Sequence, residues 1–312
     1  MNSTKLNTTM MAQVNKMTEI IRMTMSVLMF LLFGIFIYFM VIILKVFFMT
    51  SHVRETPRHI LFIHMLLNDV VYLLISFILF LCAIYFISMP VPFCHIIISF
   101  STCSFRITPY NLAVMSLERY VAICHPLRHA ELWTVRRATL AIANMWTLGM
   151  IPQLLDFIAL CSSVNKSFFN VNVICDKRSL TVGASQMVLQ TISSVFSFSM
   201  VGLVIAFTYV KVLLVARRMD SDKFASKAGK TVLLHAFQLL LSMLSFTSTL
   251  TEKEFTSRFV YLPLTNFFLF MCFPRFISPL IYGIRDEVFG KPMRRFFPAV
   301  RNRGITRIHR AT

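Results

Sequence analysis

Charge is scarce in this chain of 312 residues: Asp, Glu, Lys and Arg make up only 14% of it. A soluble domain carries roughly 25%, so a water-solvated globule is excluded as the bulk of the molecule. Glycine is scarce too, with 8 in the whole chain and no internal repeat. A transporter of paired, interrupted helices needs Gly and Pro breaks at matching places in two halves, and nothing here supports that design. His64, His95, His125 and His235 fall at no metal-ligand spacing, and there is no Ser-His-Asp set or glycine-rich phosphate loop. The chain therefore shows no enzyme constellation, and neither metal nor cofactor is expected. Acids are the rarer charge, 13 against 31 bases, for a net charge of +18. That excess would suit nucleic acid, but the positions of the bases exclude it as a partner.

What the chain has in quantity is apolar length. It is 57% hydrophobic, with 32 Phe and 20 Met. A membrane-crossing helix needs about 20 apolar residues, and several stretches exceed that. The runs place seven spans at about 23–48, 60–87, 93–124, 138–160, 185–216, 231–249 and 259–284. Of the 31 bases, 21 fall on one set of connecting segments and the span ends that meet it, 8 on the other set and 2 deep inside spans. This asymmetry places the basic loops in the cytoplasm, where they suit anionic membrane lipid. Residues 1–22 are then extracellular, without signal-peptide form, and carry glycosylation sequons at Asn2 and Asn7; a third, at Asn165, lies in an outer loop. After the bundle of 23–284, the tail 285–312 is basic. It alternates apolar and basic residues over 286–297, as a helix lying on a membrane does. The fold class is an all-α membrane protein, a seven-transmembrane helix bundle with a short amphipathic helix after span 7.

Ionisable residues within or at the edge of such spans are costly and so usually functional. Asp69 lies about two turns into span 2, and a snorkelling helix-end acid is the less favoured reading of it. Arg106 is about 12 residues inward from Cys94, at pocket depth. It serves either as an anchor for an acidic ligand or as the partner of Asp156 in an internal ion pair. Arg275 lies one turn before Pro279 and two before Tyr282, so Arg275, Ser278 and Tyr282 share a helix face. Glu118 and Arg119 stand side by side where span 3 meets water, and Pro126 turns the chain out of the helix. His235 reads equally well as a core histidine or a functional one. The free cysteines, Cys82, Cys103, Cys124, Cys161 and Cys272, read as small apolar fillers, mostly within spans.

The stretch Ser116-Leu117-Glu118-Arg119-Tyr120-Val121-Ala122-Ile123-Cys124-His125-Pro126-Leu127-Arg128-His129 resembles the end of the third helix in rhodopsin-like G-protein-coupled receptors, in the form typical of odorant receptors. Thr56-Pro57, Lys227-Ala228 with Thr231 and His235, Ser278-Pro279-Leu280-Ile281-Tyr282 and Arg285-Asp286-Glu287 carry the likeness from span 2 to the end of span 7. The Pro274-Arg275 and Ser278-Pro279 variants are similar to the teleost branch.

The resemblance implies an odorant receptor in the plasma membrane. A small ligand within its helices would drive a heterotrimeric G protein, of the stimulatory type that raises cAMP. It implies a Cys94–Cys175 disulfide over the mouth of the bundle. It also implies a coupling surface of Glu118, Arg119, Tyr120, Tyr209 and Tyr282, with Glu118 restraining Arg119 at rest. Asp69, Thr108 and Ser278 take the places that hold a sodium ion in related receptors. Arg275 then either replaces that ion beside Asp69 or reaches a backbone carbonyl or water. The sequence departs from the family in three places: no Asn at 38–41, no Pro or Trp in 231–249 and no cysteine after Cys272 for a palmitoyl anchor. A rhodopsin-like receptor for another small ligand is the alternative, and a channel or transporter a distant one.

Overall fold

The computed structural model describes residues 2–49 and 55–218, together with Phe237, Leu240, Cys272, Phe273 and Arg275. The expectations for Ser278, Tyr282, His235, most of spans 6 and 7 and the amphipathic tail lie outside these residues. Among the described residues five helices are long and apolar enough to cross a membrane. They are span 1 (Asn2–Met49), span 2 (Pro57–Ile84), span 3 (Val91–Cys124), span 4 (Val135–Ser163) and span 5 (Ala184–Arg218).

The polar residues expected as a tail are helical from Asn2 onward, although the apolar part begins at Glu19. No Gly or Pro occurs before Gly34, and Lys, Ala, Met and Glu favour helix. Glu19 pairs with Arg22 one turn later, and Arg22 reaches the carbonyl of Ile84 at the outer end of span 2.

Span 2 starts after an extended Thr56 with Pro57 in its first turn, where a missing N–H costs nothing. It stops at Tyr85, and Phe86 follows in the left-handed region at φ 54°. There the Ile87 N–H returns to the Cys82 carbonyl, a helix stop normally given to glycine. The outer loops add a feature unforeseen in an all-α reading. Strand β1 (Ser88–Pro90) pairs antiparallel with β2 (Asn172–Ile174), Met89 opposite Val173.

Span 3 is the axis of the bundle, packing against spans 2, 4 and 5, while span 1 packs on span 2. Pro109 lies inside it and withholds the N–H that the Phe105 carbonyl would accept. Spans 3 and 4 come close at Gly149, where an added Cβ would sit 3.0 Å from Cys103 Sγ. A seven-residue helix, Pro126–Leu132, follows span 3 on its inner side.

The burial pattern is that of a bundle in lipid. Leu148, Leu155, Ile158, Phe196, Leu203 and Val210 point outward, whereas Asn68, Asp69, Ser104, Arg106, Thr108 and Asn111 are buried. Apolar surface on this scale would aggregate in water; against acyl chains it is solvated. Of the free cysteines, Cys82, Cys103 and Cys272 are buried as expected. Cys161, near the end of span 4, is exposed although its neighbour Leu160 is fully buried, so it lies on the face of the helix turned away from the bundle.

Candidate functional site

Span 3 carries three polar layers, and each includes a residue singled out from the sequence. In the middle layer Arg275 Nη1 donates to Asp69 Oδ1 at 2.5 Å and to Thr108 Oγ1 at 3.0 Å. Thr108 donates to the same carboxylate oxygen at 3.0 Å and accepts from Asn68 Nδ2 at 3.2 Å. A hydroxyl has one proton and two lone pairs, so Thr108 is fully used. Asn68 also donates to the Ser104 carbonyl at 2.9 Å, tying spans 2 and 3 together. The guanidinium lies 3.8 Å over the Tyr72 ring and 5.6 Å from that of Phe105. A cation on an aromatic face is attracted by the ring quadrupole. Asp69 is 0% and Arg275 5% exposed, so the two charges neutralise each other out of water. Arg275 therefore meets Asp69 directly. Tyr72 was not anticipated, although it follows Asp69 by three residues and so shares its helix face.

The outer layer holds Arg106, and the direct ion pair with Asp156 is not formed there. Arg106 Nη2 donates to Ser193 Oγ at 3.1 Å and Ser194 Oγ at 3.0 Å, with Nη1 3.5 Å from Ser197 Oγ. Tyr110 donates to Ser197 at 2.8 Å. Each serine hydroxyl gives its own proton to a backbone carbonyl one turn back, which leaves lone pairs for the guanidinium. Asp156 instead accepts from Gln190 Nε2 at 2.6 Å and lies 4.0 Å from His95 Nε2. Arg106 and Asp156 line one polar cavity with His95, Thr102, Gln153 and Gln190. The cavity lies beneath the outer loop, which the Cys94–Cys175 disulfide joins to the start of span 3. Sequence reading missed the serines. Their signal was three hydroxyls at 193, 194 and 197 on one side of an otherwise apolar helix.

The inner layer is the end of span 3. Glu118 is buried, and its Oε1 accepts from His129 Nε2 at 3.1 Å. His129 belongs to the short inner helix, so the acid is tied to a neighbouring element that the sequence reading did not connect to it. Tyr120 packs its ring near Phe207 of span 5 and meets His125 through its hydroxyl. Tyr209 is 39% exposed on span 5. Between the layers, His64 of span 2 accepts from Trp146 Nε1 at 3.0 Å and meets Asn111 at 2.9 Å, linking spans 2, 3 and 4. Asn165 is exposed in the outer loop. Among the described residues no group of His, Cys, Asp and Glu could hold a metal ion.

The sequence pattern of a family described as 7 transmembrane receptor (rhodopsin family) matches residues 41–282. The chain is 31% identical over 203 residues to Odorant receptor 131-2 of Danio rerio, covering 63% of this chain and 61% of that one. It is 26% identical over 187 residues to Olfactory receptor 52A1 of Homo sapiens, covering 56% and 58%. With Olfactory receptor 52A5 of Homo sapiens it shares 25% over 210 residues, covering 61% and 66%. The matched stretch is thus less than two thirds of each relative's length.

Proposed function

Because the chain belongs to the rhodopsin family of seven-transmembrane receptors, a family of receptors and not of enzymes, we propose that it is an odorant receptor of the teleost type. Its likeness to Odorant receptor 131-2 of Danio rerio supports the branch. The observation that carries the ligand-binding part is the outer layer: a buried guanidinium with neutral partners, facing a polar cavity under a disulfide-pinned loop.

In this reading a small chemical ligand, anchored at Arg106, binds within the outer half of a seven-helix bundle and favours a state whose inner ends are splayed. A ligand shifts the equilibrium only by its preference for that state. Arg119, released from Glu118, would then receive a heterotrimeric G protein beside Tyr120, Tyr209 and Tyr282. The stimulatory type, raising cAMP, is the family's usual partner. Between the two ends, Arg275 acts as a fixed counter-charge for Asp69 in place of a sodium ion, with Thr108 and Ser278 as its polar neighbours. It holds span 2 to span 7 until activation rearranges them. The receptor works in the plasma membrane with its N-terminus outside and glycans on Asn2, Asn7 and Asn165, and the tail after span 7 includes a helix lying on the inner leaflet.

The test is a panel of small odorants on cells expressing the full chain, with cAMP as readout. Ligand-dependent cAMP that disappears without the G protein is the expected result. Current or solute flux that persists without a G protein would overturn the receptor reading in favour of a channel or transporter.

A further inference from the structure

Arg106 and Asp156 face one cavity without touching. Arg106 is 5% exposed, and its described acceptors are the neutral hydroxyls of Ser193, Ser194 and Ser197. The Asp156 carboxylate is 15% exposed and accepts from the neutral amide of Gln190. Beside it, His95 Nε2 is buried with no hydrogen-bond partner among the described residues. Two opposite charges out of water attract each other, or any mobile charge, far more strongly than dipoles do. Among the described residues each is hydrogen-bonded only to dipoles, on different helices, with the cavity between them; His95 stands 4.0 Å from the acid, and Lys177 also lines the cavity.

Their spacing follows from span 5. Gln190 holds the acid, and Ser194 holds the base four residues later. Four residues of helix rise about 6 Å. The cavity therefore has a negative pole and a positive pole about one helical turn apart, and no net charge from this pair; Lys177, at the rim, has an interaction of its own. A ligand with only an acid group would neutralise Arg106 and bring a second negative charge toward Asp156. A ligand with only an amine would do the reverse. A molecule with both groups satisfies both poles and adds no net charge to a site of low dielectric, where unpaired charge is expensive.

We propose that this cavity binds a small zwitterion, of which an amino acid is the simplest kind, with its acid group on the Arg106 guanidinium and its ammonium on the Asp156 carboxylate. The inference rests on reading the chain as a ligand-activated receptor. The ammonium displaces the Gln190 amide from Asp156, and His95 Nε2 stands beside it. The space between the poles is about 10 Å³, the room of about one water. The smallest zwitterions are favoured, and the flanking side chains must part to admit them. That demand couples occupancy to the position of span 5.

The experiment uses the full-length receptor in lipid nanodiscs, with glycine, acetate and methylamine as probes in a direct binding measurement. Glycine should bind at least ten-fold more tightly than either single-charge probe, a comparison made on the unaltered chain. Arg106→Gln and Asp156→Asn should each weaken glycine ten-fold or more, and Asp156→Glu should restore part of the loss. Acetate binding as tightly as glycine, or unchanged glycine binding in Asp156→Asn, would overturn the proposal. If none of the three probes binds while uncharged odorants still raise cAMP, the zwitterion site is refuted and the receptor reading stands. If glycine binds as expected and no ligand of any class raises cAMP, the receptor reading falls and the site remains.

Discussion

Asp69 and Arg275 make the most demanding contact at the scale of single residues. Each is buried, and each is the other's main neutralising charge. Removing one partner of such a pair costs about 3–5 kcal/mol, because it strands a charge away from water. Asp69→Asn and Arg275→Gln should each lower the amount of folded receptor at the cell surface, measured by flow cytometry. The charge-swapped double, Asp69→Arg with Arg275→Asp, should recover part of the loss; a double no better than the singles would argue against a direct pair. At the inner end, the His129 bond tethers Glu118, in addition to the restraint on Arg119 proposed above. Neutralising Glu118 should raise basal cAMP, and His129→Ala should raise it in the same direction by loosening the acid. Arg119→Ala should abolish ligand-driven cAMP at normal surface level. Full activity in that variant would remove Arg119 from the coupling surface.

At the scale of elements, span 3 is held by close approach as well as by polar contacts. Gly149 of span 4 faces Cys103, and a methyl group there would stand 3.0 Å from the sulfur. Cys103 is fully buried, which leaves its sulfur little room to move, so Gly149→Ala should destabilise the bundle by about 1–3 kcal/mol, the usual cost of overpacking. Cys103→Ala in the same chain should relieve most of it, read as a recovered melting temperature in detergent. The outer loop is tied in a different way. Cys94 and Cys175 are bonded and buried, and β1 pairs with β2 beside them. Peptides mapped from the unreduced protein should contain the two cysteines joined. Replacing either with Ser should cost about 2–5 kcal/mol, as loss of a native disulfide typically does.

For the whole molecule the question is which side faces out. We expect the basic segments to lie on the cytoplasmic side, through the attraction of anionic lipid and the rules of insertion. The exposed Asn165, in the loop carrying Cys175, must then meet the glycosylating lumen. With Asn2 and Asn7 replaced by Gln, endoglycosidase treatment should still shift the protein's mobility. The shift should vanish in Asn165→Gln. An unshifted band with Asn165 intact would invert the topology. The same orientation puts the Arg106 cavity toward the outside and Glu118–Arg119 toward the cytoplasm, the arrangement that a transmembrane signal requires.

Spans 1–5 and their order were legible from the chain alone, because hydropathy is a sum over neighbouring residues that needs no knowledge of the fold. Span ends were read to within about three residues where Pro marks a boundary, as at Pro57, a normal uncertainty for helix termini. That the polar residues before span 1 continue its helix was not legible, because a polar helix and a polar tail have the same composition. The contacts between helices are another matter. Asp69 and Arg275 are 206 residues apart, and no local pattern joins them; only family likeness suggested the pair. Of the two open readings of Arg106, the ion pair with Asp156 is left unformed by the rotation of span 5, which turns three serines toward the guanidinium and Gln190 toward Asp156. His129 reached Glu118 because the chain folds back after Pro126 into a short helix. Which side chains meet depends on the rotation and depth of each helix against its neighbours, and packing across the whole bundle sets both.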